Sequence, residues 1–201
     1  MIFPPRLLCL LGTLYPFSSL SFLGIDVKLP YFAYGSNLDA TVLRKRTRTP
    51  KEEMLHSYPA FLDGYRLAFN SPDLSIVPAF ASVLKSSPES RVYGCIYELN
   101  LNQYSWLLLT EGVPFTYTIQ PIIVQYYLLN GNDKAQIPTN HNLKVKDHMK
   151  RVSAFTLLGK STGKDRRPSR RYMNIIIKGA KEQGLDEYYV KYLESIEVFD
   201  S

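Results

Sequence analysis

Between Tyr31 and Leu158 the chain returns repeatedly to short runs of β-branched and aromatic residues, each closed off by turn-forming residues. Tyr31–Tyr34, Tyr65–Phe69, Ser75–Val83, Val92–Leu99, Tyr117–Leu128 and Val152–Leu158 all read as strands. Pro78 and Pro121 interrupt two of them, which suits a bulge or a sheet edge. Helical patterns are few and do not alternate regularly with the strands. One begins at about Asp39, a capping carboxylate, and ends before Pro50. A second is capped by Asn100 with Gln103 at the reciprocal capping-box position, carries Leu101, Tyr104, Leu107 and Leu108 on one face, and stops at Gly112. A third opens with Pro168 as its first residue, repeats Tyr172, Ile175, Ile176 and Gly179 at helical spacing, and stops at Gly184. A last one runs from about Asp186 to Ser195. Elements in this order predict an α+β fold rather than a βαβ repeat. The length of 201 residues suits one domain that needs no staples. Fifteen tyrosines and ten phenylalanines fit a β-rich core or an aromatic-lined pocket.

Two segments stand apart. Residues 1–27 are rich in Leu, Phe, Tyr and Ser, with no charge from Leu7 through Ile25. This leader reads as a signal peptide, a marginal membrane anchor, an extra packed segment or an unstructured extension. Residues 28–201 form the predicted domain. The expected location is cytoplasmic, and membrane contact is expected only if the leader is an anchor. Residues 129–150 are polar, with turn signals at Asn130-Gly131-Asn132-Asp133, and read as an exposed insertion.

The residues exclude several chemistries. Cys9 and Cys95 are the two cysteines, too few for a disulfide framework. Cys95, in the apolar run Val92–Tyr97, reads as a buried thiol. His56, His141 and His148 are scattered without zinc spacing, so no metal is expected. A phosphate loop, a dinucleotide fingerprint and a Gly-x-Ser-x-Gly elbow are all missing, so no cofactor is expected either. The net charge of +6 is modest. The basic clusters Arg44–Lys51 and Lys160–Arg171 leave a nucleic-acid reading open, but no nucleic acid is expected as partner.

Three features carry chemical content. First, Tyr34-Gly35-Ser36-Asn37 joins a strand to a helix. Gly35 permits a tight approach, Ser36 or Asn37 can cap, and free N–H groups at the helix start suit an anion; a plain capped turn has the same sequence. Second, Glu111 stands at a helix C-terminus between Thr110 and Gly112. That end disfavours negative charge, so burial there would make the carboxylate a better proton acceptor; the alternative is an exposed helix end. Third, Pro168-Ser169-Arg170-Arg171-Tyr172 opens a helix, with Tyr172 facing either a pocket or the core.

Taken together and in this order, the segments resemble the γ-glutamylcyclotransferase family (γ-glutamylcyclotransferase-like, or AIG2-like, fold). Tyr31-Phe32-Ala33-Tyr34-Gly35-Ser36-Asn37-Leu38, Val92–Leu99, Leu109-Thr110-Glu111-Gly112-Val113 with Tyr117, and Tyr172–Leu185 carry the resemblance, which spans about residues 30–197. Leu107-Leu108-Leu109 is a departure, since relatives have a more polar helix end there. The resemblance implies a small mixed β-barrel flanked by helices, with release of 5-oxoproline from a γ-glutamyl amino acid or amine. It implies Glu111 as general acid/base and a small-molecule γ-glutamyl substrate. Tyr31, Phe32, Ala33, Tyr34, Gly35, Ser36, Asn37 and Leu38 would hold that substrate, and Tyr172 would line the pocket. Ring closure by the substrate's own amine needs no protein nucleophile. A monomer or homodimer is expected. The alternatives are a γ-glutamylamine cyclotransferase and a non-catalytic small-molecule binding protein on the same fold.

Overall fold

The computed structural model describes residues 27–71, 79–127, 149–160 and 164–199; the leader up to Asp26, Pro78 and the insertion through His148 lie outside them. The architecture is α+β. Five strands close into a barrel: β1 (Leu29–Ala33), β2 (Ser57–Asp63), β5 (Arg91–Leu99), β6 (Tyr117–Tyr127) and β7 (Met149–Gly159). Their order around the barrel is β1-β5-β2-β6-β7. A separate two-stranded ribbon is formed by β3 (Tyr65–Ser71) and β4 (Phe80–Lys85).

The barrel is mixed because of one seam. β1 runs antiparallel to β5, with Tyr31 opposite Tyr97 and Ala33 opposite Cys95. On its other side it runs parallel to β7, with Tyr31 opposite Phe155. All five residues of β1 are buried, so the strand has no polar face and sits as the inner stave of the barrel. The Tyr31 and Phe155 rings stack across the seam at 5.1 Å between centroids. β6 and β7 form the longest ladder, from Tyr117 opposite Gly159 to Tyr127 opposite Met149. Pro121 lies in this ladder opposite Phe155 without a register shift. β2 meets β6 only at Phe61 and Gln125, so the flank carrying Pro121 has no second ladder to complete and behaves as an edge.

The strand β2 has no counterpart among the runs read from sequence. Its polar ends and Pro59 hide a short apolar centre, Ala60-Phe61-Leu62, which is buried against β5. Pro59 is tolerated for the same reason as Pro121.

Four helices flank the barrel among the described residues. α1 (Ala40–Thr47) is capped by Asp39, whose carboxylate accepts from the N–H groups of Thr41 and Val42. α2 (Leu101–Thr110) has the full reciprocal capping box between Asn100 and Gln103. It stops where Gly112 takes a positive φ of 68°, a conformation open to glycine. α3 (Arg170–Glu182) begins later than its proline suggests. Ser169 is the N-cap, accepting from the N–H of Tyr172 at 3.2 Å, so Pro168 precedes the helix instead of being its first residue. Serine prevails because its hydroxyl satisfies an orphan amide that proline cannot. The C-terminal segment fixes this start, with the N–H of Phe199 donating to the Pro168 carbonyl at 2.8 Å. α4 (Glu187–Ser195) is capped by Asp186 and buries Tyr189, Val190 and Leu193. Cys95 is buried inside the barrel wall, and burial pushes its thiol up to about 12. No described helix is long and apolar enough to cross a membrane.

Candidate active site

β1 delivers the chain into a 3₁₀ turn, Ser36–Leu38, before Asp39 starts α1. The turn's own bonds use the N–H groups of Leu38 and Asp39, which donate to the carbonyls of Gly35 and Ser36. The N–H groups of Gly35, Ser36 and Asn37 find no acceptor among the described residues. Neither Ser36 nor Asn37 caps the helix; Asp39 does, because its carboxylate lies at the correct offset from Thr41 and Val42. Gly35 has a φ of −112°, open to any residue. What it supplies is room: a Cβ there would lie 3.2 Å from the Ala81 Cβ and 3.3 Å from the Tyr172 hydroxyl.

Asn37 is released to another task. Its amide donates to the Tyr31 hydroxyl and to Glu111 Oε1, both at 2.8 Å. Glu111 is the C-cap of α2, and its side chain is 10% exposed. Its Oε1 also accepts from Arg46 Nη1 at 2.6 Å. The same Nη1 donates to Asn37 Oδ1 at 2.6 Å and to Ser36 Oγ at 3.0 Å. The second carboxylate oxygen, Oε2, has no partner among the described residues. The carboxylate is thus anchored through one oxygen, with the other without a partner among the described residues. The guanidinium offsets the unfavourable helix end.

A pocket encloses these groups. Tyr31, Tyr34, Gly35, Ser36, Asn37, Glu111 and Tyr172 line it, joined by Arg46, Ala81, Tyr117 and Leu157, around a small cavity of about 30 Å³. Phe32, Ala33 and Leu38 do not line it and are fully buried in the core. The two-residue period of β1 turns Phe32 to the face opposite Tyr31. Tyr34 donates its hydroxyl to the Leu157 carbonyl, and the Tyr172 hydroxyl accepts from the Ala81 N–H at 3.1 Å. Burial raises the hydroxyls of Tyr31, Tyr34, Tyr117 and Tyr172 above the ordinary tyrosine value, so all four keep their protons at neutral pH. They are hydrogen-bonding groups, not bases. Among the described residues no cluster of His, Cys, Asp and Glu could hold a metal ion.

Arg46 was hidden in the basic tail of α1, where a helix dipole alone accounts for cations. Its neighbours divide the tail by role. Arg44 donates to the carbonyls of Pro50 and Glu53, and Arg48 lies over the Trp106 ring at 3.4 Å from its centroid.

The family model for AIG2-like proteins matches residues 91–193, half of the chain. The chain belongs to the AIG2-like family. Among curated proteins it is similar to gamma-glutamyl cyclotransferase gliK of Aspergillus fumigatus, 28% identical over 184 residues. That match covers 85% of this chain and 63% of the relative, so the chain spans less than two thirds of that protein's length. Among solved structures, one titled gamma-glutamyl cyclotransferase superposes with a TM-score of 0.65 at 23% identity, covering 87% of this chain and 90% of that one. An uncharacterised protein from Homo sapiens superposes with a TM-score of 0.66 at 25% identity and the same coverage. The barrel with flanking helices is therefore the γ-glutamylcyclotransferase fold.

Proposed function

We propose that the protein is a γ-glutamylcyclotransferase that converts a γ-glutamyl amino acid or amine to 5-oxoproline and the free amino acid or amine. One observation carries the reading: Glu111 is held through Oε1 by Asn37 and Arg46, while Oε2 stays unpartnered in a pocket that also presents unused backbone N–H groups. The chain's family, and the name of the Aspergillus fumigatus relative, support it.

The substrate's α-ammonium gives a proton to Glu111 Oε2. The resulting amine attacks the γ-carbonyl carbon, forming the ring C–N bond. The former amide C–N bond then breaks as Glu111 returns the proton to the departing nitrogen, and the regenerated carboxylate takes the second proton from the ring nitrogen and passes it to the freed amine, which leaves as its ammonium. Negative charge grows on the γ-carbonyl oxygen during attack, and the N–H groups of Gly35, Ser36 and Asn37 are the donors at hand for it or for the α-carboxylate. The aromatic walls of Tyr34, Tyr117 and Tyr172 confine a flexible chain to the folded pose that ring closure needs.

Purified protein should form 5-oxoproline from γ-glutamyl-alanine. Glu111→Gln keeps the Oε1 acceptor but removes the proton acceptor, so turnover should fall by roughly 10²–10⁴ with the fold intact. Full activity in that variant would end the mechanism. Failure of the wild type on a panel of γ-glutamyl compounds would end the proposal.

A further inference from the structure

Arg46 belongs to two cavities. Besides the inner pocket, it lines an outer cleft with Ser36, Phe80, Thr110, Glu111, Gly112, Thr116, Tyr117 and Tyr172. The two cavities share Glu111 and Tyr172, so a γ-glutamyl substrate held at Glu111 can reach with its leaving group into the roomier outer one, of about 290 Å³.

The guanidinium is used unevenly. All of its hydrogen bonds among the described residues run from Nη1, to Ser36, Asn37 and Glu111. Nε and Nη2 carry no acceptor there, although the side chain is 30% exposed. An arginine carries five N–H donors in a planar fork, so one edge is committed to holding Glu111 and another is left over. The cleft itself has a one-sided charge. Among the described residues its only carboxylate is Glu111, whose Oε2 serves the substrate's ammonium, and its only cation is Arg46. Thr110 and Thr116 add neutral hydroxyls, and Phe80, edge-on to Tyr172 with centroids 5.1 Å apart, adds an apolar wall. A positively charged leaving group would meet no described acid beyond the one that the reaction itself uses, whereas an anionic one meets unused guanidinium donors.

We infer that Arg46 is a specificity residue as well as a positioning one: its unused N–H donors bind the carboxylate of the departing amino acid, so the protein prefers γ-glutamyl amino acids over γ-glutamyl amines without a carboxylate. This rests on the cyclotransferase reading above. The arrangement couples the two halves of the substrate, because the group that recognises the leaving carboxylate also holds the general base.

The test compares γ-glutamyl-alanine, γ-glutamyl-alaninamide and γ-glutamyl-ethylamine, scoring 5-oxoproline release. In wild type, kcat/KM for γ-glutamyl-alanine should exceed that for the other two by roughly ten- to a hundred-fold, the range for a charge-assisted hydrogen bond. Arg46→Gln lowers all three rates by disturbing Glu111, but the ratio between acid and amide should collapse toward one. Arg46→Lys, which keeps the charge and loses the fork, should retain part of the ratio. The wild-type comparison stands even if neither variant folds. Equal wild-type rates on acid and amide, or an unchanged ratio in Arg46→Gln, would overturn the assignment while leaving the cyclotransferase reading in place. No 5-oxoproline from any of the three compounds overturns both.

Discussion

Alanine at position 179 probes how α3 holds the pocket together. Gly179 packs directly on the turn that follows β1, and a Cβ placed there would clash with the backbone nitrogen of Asp39 and lie 2.5 Å from the Leu38 carbonyl carbon and 2.8 Å from the Leu38 Cβ. Carbon atoms in contact prefer about 3.5–4.0 Å, so α3 has to withdraw by roughly 1 Å. Two of the opposing atoms are backbone, so the chain cannot swing aside as a flexible side chain would. Overpacking of this kind costs about 1–3 kcal/mol, and the better helix propensity of alanine returns about 1 kcal/mol. The upper end of the range applies here, giving a net loss of about 1–2 kcal/mol, which for a protein of this size lowers Tm by roughly 2–8 °C. The same withdrawal stretches the contact between the Tyr172 hydroxyl and the Ala81 N–H, now 3.1 Å, beyond hydrogen-bonding distance. Thermal unfolding followed by circular dichroism reads the first effect, and 5-oxoproline release reads the second. A Gly179→Ala protein as stable as wild type would show that α3 does not sit against the turn as described.

Three further outcomes follow from the geometry. Burial pushes the Asp39 carboxyl up, but Lys178 Nζ at 2.6 Å and the amides of Thr41 and Val42 together hold it below its ordinary value of 3.8. Its stabilisation is therefore complete above about pH 4 and is lost as pH falls through the lower folded value, so the urea-midpoint gap between wild type and Asp39→Asn should hold steady at higher pH and narrow only as pH falls below about 4. Replacing Asn100 by alanine removes one half of a capping box and should cost about 1 kcal/mol in chemical denaturation, with no change in substrate preference. Cys95, buried and with its thiol pushed up to about 12, should resist iodoacetamide at pH 8 in the native state and label fully in denaturant, read by mass spectrometry of its peptide.

What could be read from the sequence was what depends on near neighbours. The Asn100–Gln103 box, the Asp39 cap and the positive-φ stops at Gly112 and Gly184 are local chemistry, and each stands where the sequence puts it. The strand β2 was not legible, since Pro59 and polar ends break its alternation and its burial comes from β5. The proline at 168 points to a helix start two residues before the real one, because the Ser169 hydroxyl takes the cap and the pairing of Ser169 with Phe199 lies far off in sequence. At the candidate site, the loop, Glu111 and Tyr172 do meet around one pocket. Within the loop, however, a sequence match cannot separate Tyr31 and Asn37, which line the pocket, from Phe32 and Leu38, which fill the core. The role of Arg46 is not legible in the sequence because its partner Glu111 is 65 positions away, while the helix C-terminus nearby already accounts for its charge.

The parallel seam between β1 and β7 has a kinetic meaning. The hydroxyl of Thr156 on β7 donates to the Phe32 carbonyl on β1 across 124 positions of chain, so the barrel cannot shut until its two most distant staves meet. Loop-closure entropy places such a contact late and makes the topology slow to fold. Tyr31 stands on that seam, stacked on Phe155 and bonded to Asn37. A species with every hairpin formed but the seam open has an exposed β1 and no pocket. Ligand-binding competence therefore reports the last event of refolding, and should lag behind the recovery of secondary structure.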